Sequence, residues 1–421
     1  MKKLLLSGLL VSSLVFTGCF KDDDTPIIIE EITIIQNGGD TEENPVIDVS
    51  GAITANTTWT NNNIYKINQK VVVDAGATLT IQEGTIIKGT PGTGSLASAL
   101  IIARGSKINA VGTASEPIIF TSTSDNIEVG QTAGTNLDEN DRGLWGGLIV
   151  LGNAPCSFSG DIPEAQIEGI PADDTFGLYG GTDAADNSGV LSYISIRHGG
   201  ALIGEGNEIN GLTLGGVGNG TIINNIEVVA NVDDGIEFFG GTVNASNLLV
   251  WAQGDDGLDI DQAYSGTIDN AVVVLGDFSD HAFEIDGPEG SATGSFTLQN
   301  ATIIGNTVTE NGEYADYRSG ATGATNNIYA YGFKASSDIE LDNDGVATNY
   351  NDGLLTFGTW EIVLPAGVTD VVNVFVNKAE TVTVTGFGDS ASVVTQGTQT
   401  VGAITSMLAW TYANTVGNLG F

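Results

Sequence analysis

Residues 220–231 read GTIINNIEVVAN, and the pattern returns as GTVNASNLLVWAQ from Gly241, GTIDNAVVVLGD from Gly266 and GSFTLQNATIIGN from Gly294. Each copy opens on a glycine, runs through β-branched and apolar residues, and closes on an amide or an aspartate. The starts are 21, 25 and 28 residues apart. Self-similarity at periods of about 20 to 50 residues marks a solenoid, whose units bury their apolar faces only by stacking. A coil of three short strands and three turns fits such a step, with longer turns absorbing its growth. Leucine-rich repeats need a leucine and asparagine framework that is missing here, and propeller blades need a longer period. A further coil is expected near Asn326, where NNIYAYGF repeats the theme.

Composition agrees with an all-β chain. There are 58 glycines in 421 residues, and no stretch beyond the first twenty residues has the period of an amphipathic helix. Acidic residues outnumber basic ones 52 to 13, for a formal net charge of −39. Nucleic acid is thereby excluded as a natural partner, because a phosphate backbone requires a basic surface. Salt adaptation, solubility and divalent-cation binding all remain compatible with the charge, and the placement of the acids must choose among them.

The acids form a second series: DDGIEFF at 233–239, GDDGLDID at 254–261 and DHAFEID at 280–286. If Gly235, Gly257 and Ala282 share one site on successive coils, alternation turns Ile236, Phe238, Leu258, Ile260, Phe283 and Ile285 inward. The outward columns are then Asp233, Asp255 and Asp280; Glu237, Asp259 and Glu284; and Phe239, Asp261 and Asp286. Carboxylates ~4.8 Å apart on neighbouring coils repel by about 1 kcal/mol in water and ~3.5 at an intermediate dielectric. Protonation, a basic neighbour or a bound cation can relieve this.

Calcium suits such a ladder, since it takes six to eight oxygens in irregular geometry. The candidate metal ligands are Asp255, Asp259 and Asp280, joined by Glu340, Asp342 and Asp344 of the loop ELDNDG. That loop alternates acids like a calcium loop but has Asn351 where an EF-hand supplies its bidentate glutamate. The basic neighbour is Arg318, outward with Asp316 in EYADYRSG. Candidate ligand-binding residues are therefore Asp233, Glu237, Asp259, Asp261, Glu284, Asp286 and Arg318.

The segments TWTNNNIYKINQKVVVDAGATLTIQEGTIIKG (58–89), SALIIARGSKINAVGTASEPIIFTSTSD (98–125), GLWGGLIVLGNAP (143–155), LSYISIRHGGA (191–201) and NEINGLTLGGVG (207–218) resemble right-handed parallel β-helix proteins of the pectin-lyase-like kind. They also resemble a family of β-helix lipoproteins and secreted proteins of marine and Bacteroidota-type bacteria. The resemblance runs from about Gly51 to the C-terminus, implies the fold and says little of chemistry. Two enzyme types share the architecture. Polygalacturonase-type hydrolases carry Asn-Thr-Asp, Asp-Asp, Gly-His-Gly and Arg-Ile-Lys in order, and this chain offers Asn231-Val232-Asp233, Asp255-Asp256, Asp280-His281-Ala282 and Tyr317-Arg318-Ser319. That likeness would make Asp256 the proton donor and Asp233 or Asp255 the base for water, with His281 and Arg318 alongside. Pectate-lyase-like enzymes instead imply calcium on the carboxylates and Arg318 as base.

The start, MKKLLLSGLLVSSLVFTGCF, reads as a signal peptide. Phe16-Thr17-Gly18-Cys19 resembles a lipobox, which implies lipidation of Cys19. Lys21 and Asp22 to Asp24 resemble the export signal that sends Bacteroidota lipoproteins to the outer face of the outer membrane; a plain acidic tether is the alternative. The expected organisation is a leader (1–18), a lipidated tether (19–50), a right-handed parallel β-helix (51–353) and a β-rich C-terminal cap (354–421). Trp360, Trp410 and Tyr412 of that cap are candidates for contact with sugar rings. Cys156 has no partner in the mature chain and reads as a packing residue. Arg197-His198 reads as a satisfied turn or an anion site. The expectation is a lipid-anchored cell-surface β-helix, stabilised by calcium, that binds a glycan or an envelope protein such as an outer-membrane barrel. The alternative is a polysaccharide hydrolase or lyase.

Overall fold

The computed structural model describes residues 45–170, 174–203, 208–309 and 311–421, and the backbone of the short strand Ile35–Gln36. The leader, Cys19 and the acidic run after it lie outside the described residues. From Val46 to Val393 the strands stack in parallel, each on the coil before it, as a parallel β-helix with three faces, apart from the short antiparallel pair Ala165–Gln166 and Leu178–Tyr179.

One face carries the acidic series. Its inward column reads Leu100, Leu148, Leu212, Ile236, Leu258, Phe283, Ala315 and Ile339, paired in register and buried throughout. Side chains alternate across a strand, so one apolar residue in two suffices to build this wall. Burying a Leu, Ile or Phe contributes roughly 1.5–3 kcal/mol, which makes the stacked column the main support of the fold.

The other two faces meet at a bend marked by Asn225, Asn247, Asn270, Asn300 and Asn327, all left-handed with φ between 54° and 62°. Asparagine tolerates that conformation better than most residues. The amides also join coil to coil, Asn247 donating to Asn225 at 3.1 Å, Asn270 to Asn247 at 2.7 Å and Asn327 to Asn300 at 2.9 Å. These asparagines, and not the leading glycines, hold the register. Ile223 pairs with Ala245, Ala245 with Ile268, and Ile268 with Leu298, giving steps of 22, 23 and 30 residues. The glycine spacing of 21, 25 and 28 is thus corrected. Turns of unequal length precede each strand, so the glycines drift while the asparagines stay stacked.

Beyond Gly353 the ladder continues through Leu355–Phe357, Trp360–Ile362, Phe375–Asn377 and Ala391–Val393. The chain then turns back along the side of the solenoid. The Ala403 N–H donates to Thr302 Oγ1, the Ile404 N–H to Asn270 Oδ1, and those of Tyr412 and Ala413 to the buried Glu227 carboxylate. Leu408, Tyr412 and Ala413 cover an outward apolar stripe that includes Val229, Leu249 and Val272. The aromatic residues expected to meet sugar are occupied. Trp360 is fully buried, Tyr412 is buried with its ring 4.3 Å from the Arg197 guanidinium, and Trp410 packs edge-on against Tyr193.

Candidate functional site

The acidic face changes character along its length. Its outward column reads Val72, Ile101, Ile149 and Thr213, and then, in unbroken register, Glu237, Asp259, Glu284, Asp316 and Glu340. Over the apolar half lies an insertion between Leu151 and Gly189, whose Phe158, Ile167, Ile170 and Tyr179 pack on Val72, Ile101 and Ile149. Beside that cover opens a cleft of about 500 Å³. Ten carboxylates line it: Asp233, Asp234, Glu237, Asp255, Asp256, Asp259, Asp280 and Glu284 from the coils, with Glu168 from the insertion and Glu208. His281 and Arg318 are the only basic residues among its lining.

The site is built by coil-to-coil hydrogen bonds at the bend that leads into the acidic strands. Asp234 Oδ1 accepts the N–H of Asp256 at 2.9 Å, and Asp256 Oδ1 accepts the N–H of His281 at 2.8 Å. A doublet of acids therefore recurs because one member caps the next coil while the other faces the cleft. His281 Nδ1 lies 2.9 Å from the same Asp256 oxygen. Farther along, Arg318 pairs with Glu284 and, at 2.7 Å, with Asp286, and Lys378 pairs with Glu340. On the upstream side Glu237 accepts from the amide of Asn210, which also donates to Glu168 at 3.1 Å. Asp259 is 8% exposed, and its Oδ1 has no hydrogen-bond partner.

One oxygen each of Asp234, Glu237 and Asp259 lie within 4.8 Å of one another. Three ionised carboxylates at that spacing repel by about 3.5 kcal/mol per pair at an effective dielectric of 20. Proton affinities respond accordingly, with burial the leading cause at every position. Asp234, Glu237 and Asp259 are held well above the ordinary carboxylate range, Asp234 by burial with Asp256 and Asp233, Glu237 by burial with Asp259 and Glu168, and Asp259 by burial with Asp234 and Asp261. Asp233 is pushed up to about 7 by burial with Glu168 and Asp255, and Asp255 to about 6 by burial with Asp256 and Asp280. Asp261 and Asp316 rise to about 7. Burial disfavours the His281 cation, but the hydrogen bond and charge of Asp256, with Asp280 and Asp316, outweigh it and raise that group to about 9.

The structure brings Asp233, Glu237, Asp255, Asp256, Asp259, Asp280, His281, Glu284 and Arg318 into one cleft. Asp261 and Asp286, one step along the strand, do not line it. Several expectations are corrected. The middle outward column does not lie on the surface: Glu237 and Glu284 are 5% and 8% exposed, enclosed between neighbouring coils and overhanging segments, whereas Asp255 is exposed and Asp233 and Asp280 are half-buried. Glu340 is a rung of the ladder and not part of a calcium loop. Asn343, which follows Asp342, caps the helix Asp344–Asn351, and the Asp344 carboxylate is taken by the N–H groups of Thr381 and Val382. Asp256, expected as a proton donor, is an acceptor buried under His281. His198 is closed off with Nδ1 2.7 Å from the Asp141 carbonyl, and Arg197 donates to Ser195 and Thr132. Cys156 packs beneath Phe239, its thiol pushed up to about 12 by burial.

Asp234, Glu168, Glu208 and Lys378 belong to the site or its rim and were missed. The DDG doublet repeated at 233 and 255 contained the signal for Asp234, since matching Asp256 to its counterpart one coil earlier points to it. Glu168, Glu208 and Lys378 come from irregular segments, where no repeat marks them.

A parallel solenoid with an acidic cleft on one face defines the class. The pectate-lyase like β-helix domain family matches residues 51–415, and the chain belongs to that family. No curated protein matches the sequence. Among solved structures, the pectin methylesterase from Aspergillus niger aligns at 13% identity over 85% of this chain and 87% of that one, with a TM-score of 0.29. Among the described residues no helix is long and apolar enough to cross a membrane.

Proposed function

We propose that the acidic cleft is a carbohydrate-binding site and that the protein presents it from the cell surface. The observation that carries this reading is the convergence of carboxylates from three successive coils and two overhanging segments on one open groove. Carboxylates there accept hydrogen bonds from sugar hydroxyls, and the row of coils offers the repeat spacing that a polymer needs. Membership of a family described as pectate-lyase like supports carbohydrate as the ligand class. In this reading the leader and Cys19 supply a lipid anchor on the outer face of the outer membrane. The protein acts there alone or as an accessory to a barrel protein.

A second reading, hydrolysis, is favoured by one specific observation. Asp233, Asp255, Asp256, His281 and Arg318 share the cleft, and Asp255 and Asp233 are pushed up to about 6 and 7. Such carboxyls hold a proton near neutrality, as a general acid must. With Asp256 engaged by His281, the donor in this reading is Asp255 or Asp233. The test is a panel of uronate, amino-sugar and neutral polysaccharides incubated with the full chain, scored for retention and for new reducing or unsaturated ends. Retention without new ends supports binding. New ends lost in Asp255→Asn establish the enzyme. Neither retention nor new ends on any polymer overturns both readings.

A further inference from the structure

The acidic column divides by who supplies the positive charge. From Glu284 onward the chain supplies its own, as Arg318 sits on Glu284 and Asp286, and Lys378 on Glu340. At the bend, His281 answers Asp256. Upstream no described basic side chain forms an ion pair with Asp234, Glu237 or Asp259, although all three are more than nine-tenths buried. Their geometry is also that of oriented ligands. Asp234 spends one oxygen on the Asp256 N–H and Glu237 one on Asn210, which fixes the rotation of each carboxylate. Asp259 leaves Oδ1 without any partner inside the cleft. A buried carboxylate oxygen without a donor is rare and calls for an unseen proton, water or ion.

We propose that Asp234, Glu237 and Asp259 hold one divalent cation, with water from the open cleft completing its shell and Asp233 and Asp255 at its mouth. Three carboxylate oxygens and no sulfur or free imidazole favour a hard ion, and the mixed protein and water shell in an irregular site favours calcium over magnesium. Of the other acidic groupings, the Asp233, Asp234 and Asp255 set shares Asp234 with this site and forms its mouth, and the remaining two are different in kind. The Asp256, His281 and Glu284 set and the Glu313, Asp338 and Glu340 set each already include or face a basic side chain of the chain itself. The column should therefore take one ion and not a row of them. The ion replaces a missing side-chain cation in a series whose later rungs have theirs built in. It would also tie the insertion to the coils, since Glu168 shares the Asn210 amide with Glu237.

The experiment titrates calcium chloride into EDTA-stripped full chain by calorimetry, with thermal unfolding measured in parallel and no carbohydrate present. Failure here therefore leaves the carbohydrate reading standing. One ion per chain is expected, with a rise in melting temperature. Asp259→Asn should weaken binding by about tenfold or more, while its metal-free form melts at or above the wild-type temperature. Glu237→Gln is the second variant with the same expectation should Asp259→Asn fail to fold. Glu340→Gln should bind as wild type does. The proposal is overturned by no heat and no thermal shift up to about 1 mM free calcium, the weak end of extracellular sites. It is equally overturned if both site variants bind with wild-type affinity.

Discussion

The two halves of the acidic face are the same structure with opposite surfaces. Val72, Ile101 and Ile149 occupy the outward column upstream, and Glu237, Asp259, Glu284, Asp316 and Glu340 occupy it downstream, in one continuous register. The backbone does not distinguish them. The apolar half is sealed by the insertion through Phe158, Ile167 and Tyr179, so it is finished as a core. The acidic half is enclosed almost as deeply, yet it leaves a groove and an unpartnered oxygen. The difference teaches where the solenoid stops being scaffold: at Thr213, where the column changes from hydrocarbon to carboxylate.

The comparison can be broken from either side. Ile149→Asp puts a charge into the sealed half, where no cation can follow, and should cost roughly 3–5 kcal/mol in denaturant unfolding. Glu237→Leu extends the sealed half by one rung. In cation-free buffer at pH 8 it should be neutral or stabilising by about 1–3 kcal/mol, with calcium binding lost, because replacing a buried charge by hydrocarbon of similar size often stabilises. Arg318→Gln removes a built-in cation. Its side chain is 38% exposed, so solvent screening holds the expected loss to about 1 kcal/mol, read as a small drop in melting temperature at pH 8 that shrinks at pH 5.5.

How much of this was legible in the sequence depended on repetition. The inward and outward assignment of residues 233–286 needs only a two-residue alternation and three copies, and the observed pairing of Ile236 with Leu258 and Leu258 with Phe283 follows the same register. The asparagine bend was present in the quoted repeats as Asn225, Asn247, Asn270 and Asn300. The leading glycines are the more conspicuous repeat, but they vary with turn length and do not stack. Nothing repeats in the insertion or in the irregular turns that supply Glu168, Glu208 and Lys378, so the approach of Glu168 and Glu208 to the cleft, and of Lys378 to Glu340, is a tertiary fact. Burial of the acids was likewise invisible, because alternation tells which way a side chain leaves the strand and not what covers it. ELDNDG misled for a related reason. Its acids fit a loop pattern, but Glu340 belongs to the strand and Asn343 to a helix cap.

On this reading the acidic half stays electrostatically incomplete until a cation or protons fill it. Thermal unfolding of the full chain against pH, with and without calcium, tests it most directly. Asp255, Asp233, Asp261 and Asp316 have folded-state values raised to about 6 to 7, so their contribution is full below the unfolded carboxylate range and lost as pH rises through those values. His281, raised to about 9, adds a loss of the same sign between its unfolded value and 9. Metal-free protein should therefore melt at progressively lower temperature from pH 5.5 to 8, and calcium should recover most of that loss at pH 8. A melting temperature that is flat or rising over that range without calcium, or one that calcium leaves unchanged at pH 8, would contradict the account.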